Sequence, residues 1–105
     1  MIQFNLSLFI DNKIEQQAIT ALTKIILPEL KKWKDIKATH LFSIDSHQEK
    51  DSIGLSIQCL IPNSKEKEIQ DKIVQLINGF FQAEFPNQFV YFSSQLSLKY
   101  SNQLD

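Results

Sequence analysis

Cysteine is nearly absent: the one residue, Cys59, rules out an internal disulfide and leaves the fold to stand on its core. Glycine and proline are scarce too, 2 and 3 among 105 residues. Two isolated glycines cannot build a phosphate-cradling loop, and so few turn formers argue for regular elements joined by short connections. No charge excess of either sign exists, since 11 Lys and Arg stand against 12 Asp and Glu for a net −1. That balance lacks the basic surplus that grips a phosphate backbone. No apolar run approaches membrane-spanning length. Residues 2–10 already read as structure, so no signal peptide is expected. These absences set the partner expectations: no nucleic acid, no membrane, a cytoplasmic protein.

What is present is ordinary globular composition, 43% hydrophobic and 22% charged. The length suits one domain, expected over residues 1–100, with a frayed tail at 101–105. Residues 2–10 alternate, with Ile2, Phe4, Leu6, Leu8 and Ile10 on one side and Gln3, Asn5, Ser7 and Phe9 on the other. Period two marks a strand. Asp11 and Asn12 break it and can cap a helix. Ile14, Ala18, Ala21, Leu22 and Ile25 then follow helical spacing. Pro28 forces a kink, or a stop with a restart at a new first turn.

A second strand is predicted over 39–46 and a third over 53–61, joined by a polar loop as an antiparallel hairpin. Asn63 with Glu66 reads as a capping box, opening a helix whose stripe is Ile69, Ile73, Leu76, Ile77 and Phe80. Pro86 ends that segment. Residues 88–99 alternate again, with Val90, Phe92, Leu96 and Leu98 expected on the core side. The order β-α-β-β-α-β on so short a chain points to an α+β, ferredoxin-like fold: a four-stranded antiparallel sheet with two helices on one face.

The other sheet face should then carry Asn5, Ser7, Phe9, Ser56, Gln58, Leu60, Phe89, Tyr91, Ser93 and Gln95. No charge is among them, whereas a solvated face normally carries Lys and Glu. Self-association through this face is the leading reading, because uncharged surfaces with Phe and Tyr suit an interface core. RNA stacking is a second, weakened by the aromatic-free third strand and the net charge. A bland open face is the third.

Chemistry-bearing residues are sparse. His40 and His47 lie seven apart with no Cys-x-x-Cys or His-Glu-x-x-His, so no metal site is expected. Cys59 falls on an apolar strand face and reads as a small hydrophobe. Trp33 reads as a core-closing residue. Asp45, Glu49 and Asp51 read as a solvated loop.

Taken together, these segments resemble a family of short, uncharacterised bacterial proteins defined as a domain of unknown function. Its members open with a strand like Tyr-Asn-Val-Thr, here Phe4-Asn5-Leu6-Ser7. A helix ends in an Ile-Pro-Glu type segment, here Leu27-Pro28-Glu29. A later strand is like Tyr-Ser-Ile-Gln-Tyr, here Leu55-Ser56-Ile57-Gln58-Cys59. The last is like Phe-Val-Ala-Phe-x-Thr-x-Leu, here Phe89 through Leu96. The family is similar to the dimeric α+β barrel group, which implies a homodimer paired through its sheets. Two Trp positions of the family's first helix correspond to Ala18 and Ala21, a His position to Ile26, and residues are inserted between Leu30 and Leu41. A function carried by those Trp and His residues would be absent or altered here.

The expectation is a non-enzymatic homodimer binding a small apolar molecule or a protein partner, without cofactor. Asn5, Ser7, Gln58, Phe89, Tyr91 and Ser93 are its candidate cavity residues. The alternative is a cofactor-independent oxygenase or isomerase using Asn5, Gln58, Tyr91 and His40. It ranks second because those residues form no acid–base pair.

Overall fold

A computed structural model describes residues 1–102. Strand β1 (Ile2–Asp11) is followed by helix α1 (Glu15–Ala21), which runs through a π turn (Leu22–Ile26) into helix α2 (Leu27–Lys31). Strands β2 (Ala38–Ser43) and β3 (Ser52–Ile61), helix α3 (Glu66–Glu84) and strand β4 (Phe89–Ser97) complete the chain order. The strands lie in the order β2-β3-β1-β4, all neighbours antiparallel. This is the α+β ferredoxin-like arrangement. The expected frayed tail begins without regular structure at residues 101–102; its remainder, 103–105, lies outside the described residues.

The alternation of β1 decides the layering. Ile2, Phe4, Leu6, Leu8 and Ile10 are all buried, each beside a half-buried or polar neighbour. Leu55, Ile57, Cys59 and Ile61 of β3 join them. Ile14, Ala18, Leu22, Ile26 and Leu30 close down from the first helical stretch, and Ile69, Ile73, Ile77 and Phe81 from α3. Each fully buried Leu, Ile or Phe contributes on the order of 2 kcal/mol of transfer free energy, so this covered face carries the stability of the domain. The Asp11 carboxylate accepts from the Lys13 N–H at 2.9 Å, capping the first turn as anticipated.

Pro28 stands in the first turn of α2, as a restart there requires, and the disruption before it is a π turn. Its missing N–H and its ring are accommodated by the π turn just before it, where the Leu27 N–H donates to the Leu22 carbonyl. Four expectations are corrected. The wide turn adds one residue to the spacing, so Ile26 is buried and Ile25, expected in the stripe, is exposed. Strand β2 ends at Ser43 rather than 46, although the Ile44 N–H still donates to Gly54 O at 2.9 Å. The Asn63–Glu66 capping box does not form, because Asn63–Lys65 is a 3-10 turn and α3 begins after it without a side-chain cap.

The fourth correction is the facing of β4. Its register places Phe89 opposite Ile10, Tyr91 opposite Leu8 and Ser93 opposite Leu6. Directly paired residues share a face, so these odd positions lie on the helix side. Phe89 packs edge-on against Phe81, with centroids 5.4 Å apart. Gln95 accepts from the Gln70 amide of α3 at 2.8 Å. Val90, Phe92, Ser94 and Leu96 therefore occupy the bare side.

Candidate functional site

The helix-free face is built from Gln3, Asn5, Ser7 and Phe9 of β1, with Gly54, Ser56, Gln58 and Leu60 of β3 paired beside them. Ala38, His40 and Phe42 of β2 and Val90, Phe92, Ser94 and Leu96 of β4 flank this centre. None of these residues is an Asp, Glu, Lys or Arg.

Its middle is a continuous side-chain network. The Gln3 amide donates to Gln58 Oε1 at 2.8 Å, and the Gln58 amide donates to Ser56 Oγ at 3.2 Å. The Ser56 hydroxyl donates to Asn5 Oδ1 at 2.5 Å. The Asn5 amide donates to Ser7 Oγ at 3.0 Å and Ser94 Oγ at 3.4 Å. These bonds form because the residues sit directly across or diagonally on adjacent strands, or two apart on one strand and so on the same face. Polar groups that satisfy one another can be covered by apolar surface at little cost.

Around the network the face is apolar and open. Val90 is 56% exposed, Phe92 64%, Leu96 49% and Phe42 48%. At one end the hairpin loop folds inward: His47 lies on Phe9 with ring centroids 4.8 Å apart, and His47 Nε2 shares a hydrogen bond with the Ser52 hydroxyl at 2.9 Å. Phe9 lies over Gly54, where an added Cβ would come within 3.1 Å of its ring. A cleft of about 370 Å³ opens there between Phe9, His47, Glu49 and Phe92. At the other end a cleft of about 910 Å³ is lined by Gln3, Leu60, Leu96, Leu98 and Tyr100, with Lys99 at its side. Neither cleft is lined by Asn5, Ser7 or Gln58.

Three of the six candidate cavity residues, Asn5, Ser7 and Gln58, are thus brought together on the bare face. Phe89, Tyr91 and Ser93 are not; they lie on the opposite side of the sheet. The same reversal separates Tyr91 from Asn5, Gln58 and His40, so the set named for an oxygenase or isomerase is not assembled. Val90, Phe92, Ser94 and Phe42 were missed as neighbours of the network, whereas His40, named with Asn5 and Gln58, does stand opposite Gln58. The signal for β4 was the helix end: Phe81 and Phe85, 5.3 Å apart, call for an aromatic partner, and Phe89 supplies it. Burial pushes the Cys59 thiol up from 9.0 to about 12, which keeps it protonated and non-nucleophilic at neutral pH. Among the described residues, no group of three or more His, Cys, Asp or Glu is placed to hold a metal ion. No helix among them is long and apolar enough to cross a membrane.

No family model matches the chain, and no curated relative matches it. Solved structures do. A de novo designed protein, Foldit4, has a TM-score of 0.61 at 10% identity, over 93% of this chain and 98% of its own. A dimeric ferredoxin-like protein from an uncultured marine organism has a TM-score of 0.57 at 12% identity, over 98% of this chain and 99% of its own. CPII from Thiomonas intermedia, solved bound to ADP, AMP and acetate, has a TM-score of 0.49 at 12% identity, over 94% of this chain and 90% of its own. At these identities the likeness is one of fold.

Proposed function

We propose that this protein is a non-catalytic interaction protein that works as a homodimer, with the helix-free sheet face as its contact surface. One observation carries the reading: an uncharged, self-bonded polar centre surrounded by exposed Val90, Phe92, Leu96 and Phe42. Isolated exposed apolar residues are ordinary, but apolar side chains left open along both edges of one uncharged face favour an interaction surface.

Size and charge favour a second copy as the occupant. Four strands about 4.8 Å apart and roughly 30 Å long present about 600 Å² in projection per copy. Two such faces reach about 1,200 Å², the lower bound of a specific interface. The strand residues of the face carry no ionised group, with Glu49 and Lys99 only at its two ends, so its centre meets its own copy without a like-charge penalty. A ferredoxin-like protein of the same fold is described as dimeric, which supports a dimer of this fold. The reading keeps a cytoplasmic location. A small apolar ligand, if the dimer takes one, belongs in the two end clefts, since the network atoms are already paired with one another.

Sedimentation equilibrium tests the proposal. The wild type is expected at twice the chain mass. Phe42→Glu, which puts a carboxylate on the face far from β4, should raise the dissociation constant by on the order of tenfold to a hundredfold, at 1.4 kcal/mol per decade. Gln75→Glu, on the exposed side of α3, should leave it unchanged. A wild type that stays monomeric up to near-millimolar concentration overturns the reading.

A further inference from the structure

The two edges of the sheet are protected differently. Strand β2 spans six residues and is bracketed by Lys37 and Asp45. Strand β4 spans nine, and no charged residue stands anywhere between Glu84 and Lys99. Its register with β1 runs unbroken from Ile2 opposite Ser97 to Ile10 opposite Phe89, with no bulge. It contains no proline and no glycine. Natural proteins blunt an open edge with lysine, proline, bulges or brevity, because its unpaired backbone groups template the addition of another strand. β4 has none of these devices over a ladder of roughly 30 Å.

We propose that the outer edge of β4 pairs antiparallel with β4 of a second copy and forms the seam of the homodimer. The inference rests on the reading of the bare face as a homodimer contact and says where the two copies are joined. Symmetry restricts the register. A two-fold axis through an antiparallel strand pair stands perpendicular to the local sheet, so each residue must oppose one of the same parity. Full overlap of the nine residues then centres the pair on Ser93, facing its own copy. Val90 comes opposite Leu96, twice, and Phe92 comes opposite Ser94.

The strand is its own complement in that register. The two exposed aliphatic positions of the bare side, Val90 and Leu96, cover one another, and the centre is a small hydroxyl pair that lets the backbones approach. The same axis sets both bare faces on one side of the joined sheet. Closing them on each other about the seam as a spine gives the face-to-face contact. Val90, Phe92 and Leu96 therefore belong to both the seam and the face.

Ser93 is the residue on which to test this, because it is exposed, lies on the helix side, and contributes nothing to the bare face. Ser93→Lys and Ser93→Asp each put like charges directly opposite across the seam. Each alone should weaken the homodimer about fivefold, the effect of an opposed like-charge pair. An equimolar mixture should restore wild-type affinity as a heterodimer, read by native mass spectrometry from the mass difference between the two variants. Circular dichroism melts of the diluted variants confirm that each is folded.

Restoration on mixing supports the seam and its register. Single variants that dimerise like wild type, while Phe42→Glu still dissociates, overturn the seam and leave the face reading standing. Weakened variants that mixing does not restore overturn the register centred on Ser93. A wild type that is monomeric removes the reading on which the seam rests.

Discussion

The two faces of one sheet share the same strands and differ in almost everything else. The covered face carries Leu6, Leu8, Ile57, Cys59 and Ile61, all sealed beneath the helices. The bare face carries amides and hydroxyls bonded among themselves, with aromatic and aliphatic side chains left open around them. A period of two in the backbone assigns alternate residues to opposite faces. The chain can therefore specify a fold on one side and a contact surface on the other with little interference. Stability belongs to the first face and association to the second.

The largest test of that division removes a ring from each side. Phe81→Ala empties a fully buried site and should cost about 3 to 5 kcal/mol in urea denaturation. Phe92→Ala, at a concentration low enough to keep the chain monomeric, should cost less than about 1 kcal/mol. Equal losses would erase the comparison.

Next comes high pH, which acts on the covered face through Cys59. Its thiol ionises near 9.0 when unfolded and near 12 when folded, so above pH 9 the unfolded state holds fewer protons and stability falls as pH rises. The slope attributable to this residue is about 1.4 kcal/mol per pH unit between those values, on the order of 3 kcal/mol by about pH 11. Denaturation midpoints of wild type and Cys59→Ala across that range should converge as pH rises. Parallel curves would mean that the thiol is not sealed.

Asn5→Ala strikes the centre of the bare face. It strips the nearly buried Ser56 hydroxyl of its acceptor and should cost about 1 to 2 kcal/mol by the same denaturation assay. Gln3→Ala, at the network's end, should cost less. The smallest effects come from the two glycines. Gly79→Ala, where a Cβ meets nothing within 4 Å in the middle of α3, should gain about 0.5 to 1 kcal/mol. Gly54→Ala should lose about 1 kcal/mol, because its Cβ would press on Phe9 and Ile44 at 3.1 Å. Thermal melts decide both signs.

Much of this was legible from residue order. The alternation of β1 named one buried set and one bare set correctly, and the helical spacing of Ile69, Ile73 and Ile77 found the core side of α3. The placement of Asn5, Ser7 and Gln58 on the helix-free face followed from the same period. Strand β4 was not legible, because both of its parities are apolar. Phe89 and Tyr91 compete with Val90, Phe92 and Leu96, and a one-residue shift exchanges the faces. The choice is made elsewhere. Asn87 adopts φ 64° in the turn after α3, and the Asp11 N–H donates to Gln88 O at 2.9 Å, which sets where the strand begins. The π turn was hidden for a related reason, since Pro28 announces a disruption without saying whether the helix breaks or widens.

The measurement closest to the central claim is an isotope-filtered NOE experiment on dimer assembled from labelled and unlabelled copies. It compares two exposed aliphatic side chains: Val90 on the bare face and Ile25 on the outer side of the helical layer. The Val90 methyls should show intermolecular NOEs to side-chain protons of the other copy, and Ile25 should show none. Contacts from Ile25 with silence at Val90 would contradict the claim.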